Sequence, residues 1–141
     1  MIQHAKKYSE YNIEFWPAPE GKTPEIQSES DVLILPIKKG FASTSIPSKL
    51  PAYMFSSKPI IACADKYSDT ALAVNEANCG WAIEPEDTNI LSVLMKKILT
   101  YDKKHLEALG NNGREYALSH FSKKANLSRI IRIIKNTVFQ C

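Results

Sequence analysis

Residues 40–48 form a small, hydroxyl-rich run: Gly40, Phe41, Ala42, Ser43, Thr44, Ser45, Ile46, Pro47 and Ser48, followed by Lys49. The run has no hydrophobic period and reads as a loop. Leu50, Tyr53 and Met54 recur behind it at helical spacing. If Ser48 is the N-cap, Pro51 falls at the third helical position, where proline is tolerated. The amides of Lys49 and Leu50 would then be free. A helix start with unpaired N–H groups and a nearby ammonium attracts phosphate. The same residues equally describe an ordinary capped helix with a solvated lysine, because no glycine-rich phosphate loop accompanies them.

Other constellations give less. His4, His105 and His120 are scattered, and no Ser-His-Asp order, HExxH or paired carboxylates suggest hydrolysis, so no catalytic residue is named. Cys63, Cys79 and Cys141 are odd in number and lack CxxC spacing. They read as reduced thiols, neither a disulfide framework nor a metal site. Glu84, Glu86 and Asp87 cluster after one strand and are expected to cap the next helix. Asp65, Ser68 and Thr70 follow another strand and could touch a ligand or cap the helix from Asp69. The net charge of +3 is too mild to argue for nucleic acid. Residues 32–37 are the longest apolar run, far too short to cross a bilayer. Lys6 and Lys7 break any apolar run near Met1, so a cytoplasmic protein is expected.

The elements alternate. Residues 2–9 can be a short helix, and residues 12–16 carry the alternation of a strand. Residues 23–30 suggest a weak helix with Thr23 as cap and Pro24 at its first position. Val32, Leu33, Ile34 and Leu35 form a continuous apolar run ended by Pro36, the mark of a strand buried on both faces. A second such strand covers residues 60–63, and a helix runs from Ser68 or Asp69 to Ala77, stopped by Gly80. A short strand at 81–83 and a helix at about 88–100 come next. The chain closes with a helix at 103–120, interrupted near Gly110 and Gly113, and an amphipathic helix at 122–139. Strand–helix alternation with apolar strands predicts an α/β fold, a Rossmann-like parallel sheet flanked by helices. One domain fits the 141 residues.

Six pieces in order resemble a known family. They are residues 31–36, residues 45–50, Tyr53 with Met54, residues 58–62, residues 68–71 and residues 78–87; residues 111–117 and 120–122 extend the likeness. This pattern resembles the carboxyl-terminal, donor-binding domain of retaining glycosyltransferases of the GT-B fold. The group 1 (family 4) enzymes of capsule and O-antigen assembly are the nearest in character. The resemblance spans about residues 10–135.

The resemblance implies that Thr44, Ser45, Ile46, Pro47, Ser48 and Lys49 hold a donor diphosphate, mainly through backbone amides. It places Trp16, Pro17, Ala18 and Ala52 at the nucleoside, although Trp16 could equally be a buried anchor at a sheet end. Phe41, Ala42 and Ser43 would lie near the donor sugar. The implied activity is transfer of a hexose or amino-hexose from a nucleotide diphosphate sugar, with a uridine diphosphate sugar the expected donor. The acceptor would be lipid-linked or saccharide, in cell-surface polysaccharide biosynthesis. No cofactor or metal is implied. Two departures qualify this. Thr44 and Ala52 stand where many relatives carry glutamates, and nothing matches the first two strand–helix units of the domain or the amino-terminal acceptor domain. Residues 1–141 are thus expected to be one partial domain, the truncated carboxyl-terminal half of such an enzyme, needing the missing half or a partner chain. A non-catalytic remnant or interaction module is the alternative. The last helix, with Leu127, Ile130, Ile131, Ile134 and Val138 on one face, is expected to pack on the domain, while Lys124, Arg132 and Lys135 leave open a peripheral contact with the inner face of the membrane.

Overall fold

A computed structural model describes residues 13–15, 19–41 and 46–138. Helix α1 (Thr23–Glu29) precedes β1 (Leu33–Pro36), α2 (Lys49–Phe55), β2 (Ile60–Cys63), α3 (Asp69–Glu76) and β3 (Gly80–Ile83). Helices α4 (Thr88–Ile98), α5 (Lys103–His120) and α6 (Lys123–Val138) complete the chain. The three strands form one parallel sheet in the order β1-β2-β3. Leu33 pairs with Ile60 and Ile60 with Gly80, so the strands start level. The α/β, Rossmann-like architecture expected from the sequence is therefore present.

The apolar runs form strands because both faces of the sheet are covered. Leu35, Ile60 and Ala62 face one layer, packed with Leu50 and Met54 of α2, Ala73 and Val74 of α3, Cys79, and Ala117 of α5. Ile34, Ile61, Cys63, Trp81 and Ile83 face the other, against Leu91, Leu94 and Ile98 of α4 and against Tyr101 and Leu106. Pro36 is tolerated because β1 lies at the sheet margin. Leu33 and Ile37 donate to Pro59 and Cys63 of the β2 side at 2.9 and 3.0 Å, so the backbone nitrogen of position 36 faces outward and needs no donor.

Several local expectations give way. Residues 13–15 are exposed and form no strand, and the rest of the segment expected there lies outside the described residues, as does the helix expected at residues 2–9. The N-cap of α1 is Lys22, not Thr23, and no side chain caps it. Helix α3 ends at Glu76 with Ala77 as its C-cap, followed by Asn78 at φ 47°, so Asn78 and not Gly80 turns the chain out of the helix. Gly80 has a different task. A Cβ there would sit 2.0 Å from the Ile60 carbonyl oxygen, so only glycine admits β3 this close to β2.

The break expected near Gly110 and Gly113 is absent: α5 is continuous, and both glycines are buried. They serve packing. A Cβ at Gly110 would lie 2.1 Å from the Ser57 carbonyl oxygen, and one at Gly113 would lie 3.0 Å from Cys79 Cβ. Helix α5 thus rests directly on the backbone joining α2 to β2. The packing expected of the last helix is not seen, because α6 has no buried residue. Its Leu127, Ile130, Ile131, Ile134 and Val138 are each between 44% and 61% exposed.

Two glycines and a thiol test this packing. Gly110→Ala should cost at least about 2 kcal/mol by overpacking against fixed backbone. Gly40→Ala, at φ 79° with open space around it, should cost about 1 kcal/mol; denaturant midpoints of the two variants check the difference. Burial pushes the Cys79 thiol from 9.0 up to about 11. Its folded form therefore keeps a proton that the unfolded chain releases, and the stability present below pH 9 is lost as pH rises towards 11. Cys79→Ala should flatten the fall in melting temperature over that interval relative to the wild type.

Candidate functional site

In open parallel sheets, ligands gather at the carboxyl ends of the strands. Here that edge is formed by Pro36, Cys63 and Ile83 with the segments directly after them. The ladder continues past the strands: Ile37 N–H donates to the Cys63 carbonyl and Ala64 N–H to that of Ile83, both at 3.0 Å. One side chain ties two of the loops together. Gly40 N–H donates to Asp65 Oδ2 at 3.0 Å, holding the loop after β1 to the loop after β2. The Lys38 ammonium stands 5.7 Å from the centre of the Phe41 ring, and Phe41 is 67% exposed.

Two recesses open on this edge. One, of about 380 Å³, is lined by residues 65–69 and Glu84. The other, of about 290 Å³, lies between Ile37, Lys38 and Cys63 on one side and Glu86, Thr88 and Leu91 on the other. Glu84 borders both. Carboxylates therefore dominate the β2–β3 part of the rim, while Lys38, Lys39 and Lys49 are the exposed cations on the loop and helix after β1. A larger recess of about 480 Å³ lies along the outer margin of β3 and α4, lined largely by apolar residues such as Trp81, Ile90 and Val93. It runs the length of β3, from Gly80 to Ile83 at the carboxyl edge.

The expected diphosphate segment is only partly as the sequence suggested. Ile46 and Pro47 are half-buried, Ile46 against the core layer containing α2, whereas Ser48 and Lys49 are exposed. Ser48 occupies the N-cap position, but its hydroxyl makes no capping bond, and its own φ and ψ of −56° and −21° are helical. A cap residue needs an extended backbone to turn its oxygen onto the first amides. The Leu50 amide is not free either, since it donates to the Pro47 carbonyl at 2.9 Å. Lys49 and Ala52 share the exposed face of α2, opposite the buried Leu50 and Met54. Trp16, Pro17, Ala18, Ala42, Ser43, Thr44 and Ser45 lie outside the described residues.

The other strand-end residues divide by role. Ser68 has an extended backbone, and its oxygen accepts from the Ala71 amide at 3.2 Å, so it caps α3. Asp87 caps α4 through Ile90 N–H at 2.9 Å. Thr70 is fully buried, its hydroxyl without a hydrogen-bond partner among the described residues, and is closed to any ligand at the rim. Glu84 and Glu86 remain exposed. The Asp65–Gly40 tether is invisible to sequence reasoning. Its only signals are a glycine inside a loop and an aspartate directly past a buried strand, and they pair only when the strands lie side by side. Among the described residues no group of His, Cys, Asp and Glu is arranged to hold a metal ion, and no helix is long and apolar enough to cross a membrane.

No protein-family model matches the chain, and no solved structure matches it significantly. Among curated proteins it is similar to the probable glycosyltransferase WbjE of Pseudomonas aeruginosa, with 26% identity over 105 residues. The aligned part is 74% of this chain and 26% of that protein, so the chain spans about a quarter of the relative's length. Fold and likeness together support a glycosyltransferase relationship.

The capping geometry yields a test of this local reading. Ser68→Ala should lower stability by about 1 kcal/mol, the worth of a lost cap, whereas Ser48→Ala should change it by only a few tenths. Thermal melts of both variants measure the contrast.

Proposed function

We propose that the chain is the donor-binding part of a glycosyltransferase. It would take a nucleotide diphosphate sugar, expected to be a uridine diphosphate sugar, at the edge formed by the loop after β1 and the start of α2. The reading rests on one observation above others: the likeness to a probable glycosyltransferase covers three quarters of a chain folded as a parallel α/β sheet. Transfer of a hexose or amino-hexose to a lipid-linked or saccharide acceptor, in cell-surface polysaccharide biosynthesis, is the activity proposed for the enzyme of which this is a part.

Within that reading the chain's residues bind rather than react. Lys49, exposed on the first turn of α2, supplies a positive charge to the diphosphate, and Thr44, Ser45, Ile46, Pro47 and Ser48 are assigned to the same group. Phe41, Ala42 and Ser43 are assigned to the sugar, and Trp16, Pro17 and Ala18 to the base. Ala52, on the same helix face as Lys49, leaves the ribose without a carboxylate partner from this helix. That feature favours a second reading, a domain that keeps the fold without turnover.

The test is calorimetric titration of uridine diphosphate and its sugars into wild type, Lys49→Ala and Lys124→Ala. Removing the Lys49 charge should cost about 1–2 kcal/mol, the scale of a charge-assisted contact, or roughly five- to thirtyfold in affinity. Lys124→Ala should leave affinity unchanged. Equal affinities for all three would make Lys49 a solvated side chain, and no binding by wild type would favour the second reading.

A further inference from the structure

The loop after β1 is not held in place by burial. Ile37 still packs on the core layer, but Lys38, Lys39, Gly40 and Phe41 are all exposed, and a Cβ on Gly40 would meet nothing within 4 Å. Hydrogen bonds shape it instead. Phe41 N–H donates to the Lys38 carbonyl at 3.0 Å, and Gly40 lies at φ 79°, as the third residue of a type II turn requires. The turn's own bond uses the Phe41 amide. The Gly40 amide goes to Asp65 Oδ2, 25 residues further along the chain.

The acceptor sits on a firm frame. Directly before Asp65, Ala64 N–H donates to the Ile83 carbonyl at 3.0 Å. The Asp65 carbonyl accepts from Ser68 N–H at 2.9 Å, and Ser68 caps α3. The half-buried Asp65 is thus fixed to β2, β3 and α3 at once, and a carboxylate is a strong acceptor for a backbone amide. What it fastens is a turn that offers an aromatic face and a cation to solvent. Phe41 is 67% exposed, with the Lys38 ammonium 5.7 Å from its ring centre.

We propose that Asp65 is a positioning residue for the donor sugar. It does not touch the donor, but it sets the Lys38–Phe41 turn so that the sugar meets a loop already in its binding conformation. A loop ordered beforehand costs the complex less than one ordered on binding. The inference rests on the donor-binding reading, in which Phe41 is assigned to the sugar. Because Asp65 also borders the recess of about 380 Å³, direct contact of its carboxylate with the ligand is the rival role. Asparagine separates the two, since its amide oxygen can accept the same N–H without the charge.

The experiment is calorimetric titration of uridine diphosphate and of uridine diphosphate N-acetylglucosamine into the full chain as wild type, Asp65→Ala, Asp65→Asn and Ser68→Ala. Asp65→Ala should weaken the sugar nucleotide about fivefold and uridine diphosphate less than about twofold. Asp65→Asn should stay within about twofold of wild type for both. Ser68→Ala, which removes a cap from the neighbouring helix, should lower the melting temperature and leave both affinities unchanged. Unchanged sugar-nucleotide affinity in Asp65→Ala overturns the proposal, as does an equal loss for the two ligands. Equal losses in Asp65→Asn and Asp65→Ala would give the carboxylate a direct contact, and equal losses in Ser68→Ala and Asp65→Ala would make the effect one of stability; either overturns it too. Those outcomes leave the donor-binding reading standing, whereas a wild type that binds neither ligand overturns that reading and this inference together.

Discussion

Strand β2 has nowhere to retreat. Its four residues are all buried, each 8% exposed or less, and its backbone is bonded to β1 on one side and β3 on the other. Ile60 and Ala62 hold one layer of helices, while Ile61 and Cys63 hold the other. Few residue types satisfy a position enclosed by helices on both faces and by backbone along both edges, which is why the segment contains nothing polar. Everything at the carboxyl rim is hung from this strand. Asp65 emerges two residues past its end, and the tether to Gly40 places the loop after β1 beside it.

How close the neighbours approach is set by absent side chains. Glycine at position 80 admits β3, and glycine at position 110 admits α5 onto the Ser57 backbone. Ser57 itself lies at φ 55°, turning the chain sharply from α2 towards β2. The layer is thin there because backbone meets backbone.

The strands are legible from sequence because a continuous apolar run closed by proline suits a buried strand and little else. Two caps, Ser68 and Asp87, are legible too, each a short polar side chain directly ahead of a helical pattern. Gly110 and Gly113 mislead, since sequence shows a missing side chain but not the surface that needs it missing. Ser48 misleads for a related reason: its residue type suits a cap, but the Pro47 carbonyl has already taken the Leu50 amide. Of the candidate site, sequence points to the loop after β1 and to Lys49, but not to the Asp65 carboxylate that anchors the loop. Such a link joins residues 25 apart and has no local pattern. The amphipathic character of α6 is plain from its period, whereas the lack of a covering surface among the described residues is visible only in three dimensions.

The contact at Gly110 also decides how far the chain can be divided. Helix α5 covers Met54 and Cys79 through Gly113 and closes on the α2–β2 turn through Gly110, reaching back more than fifty residues in sequence. The β-α-β half is therefore not a module with a helical appendage. Ended before α5, it would present Met54 and Cys79 to water and lose the lid over its own turn. Insertions and fusions have a safer place beyond Ser122, where Phe121 has already packed against the core and α6 departs without burying a residue.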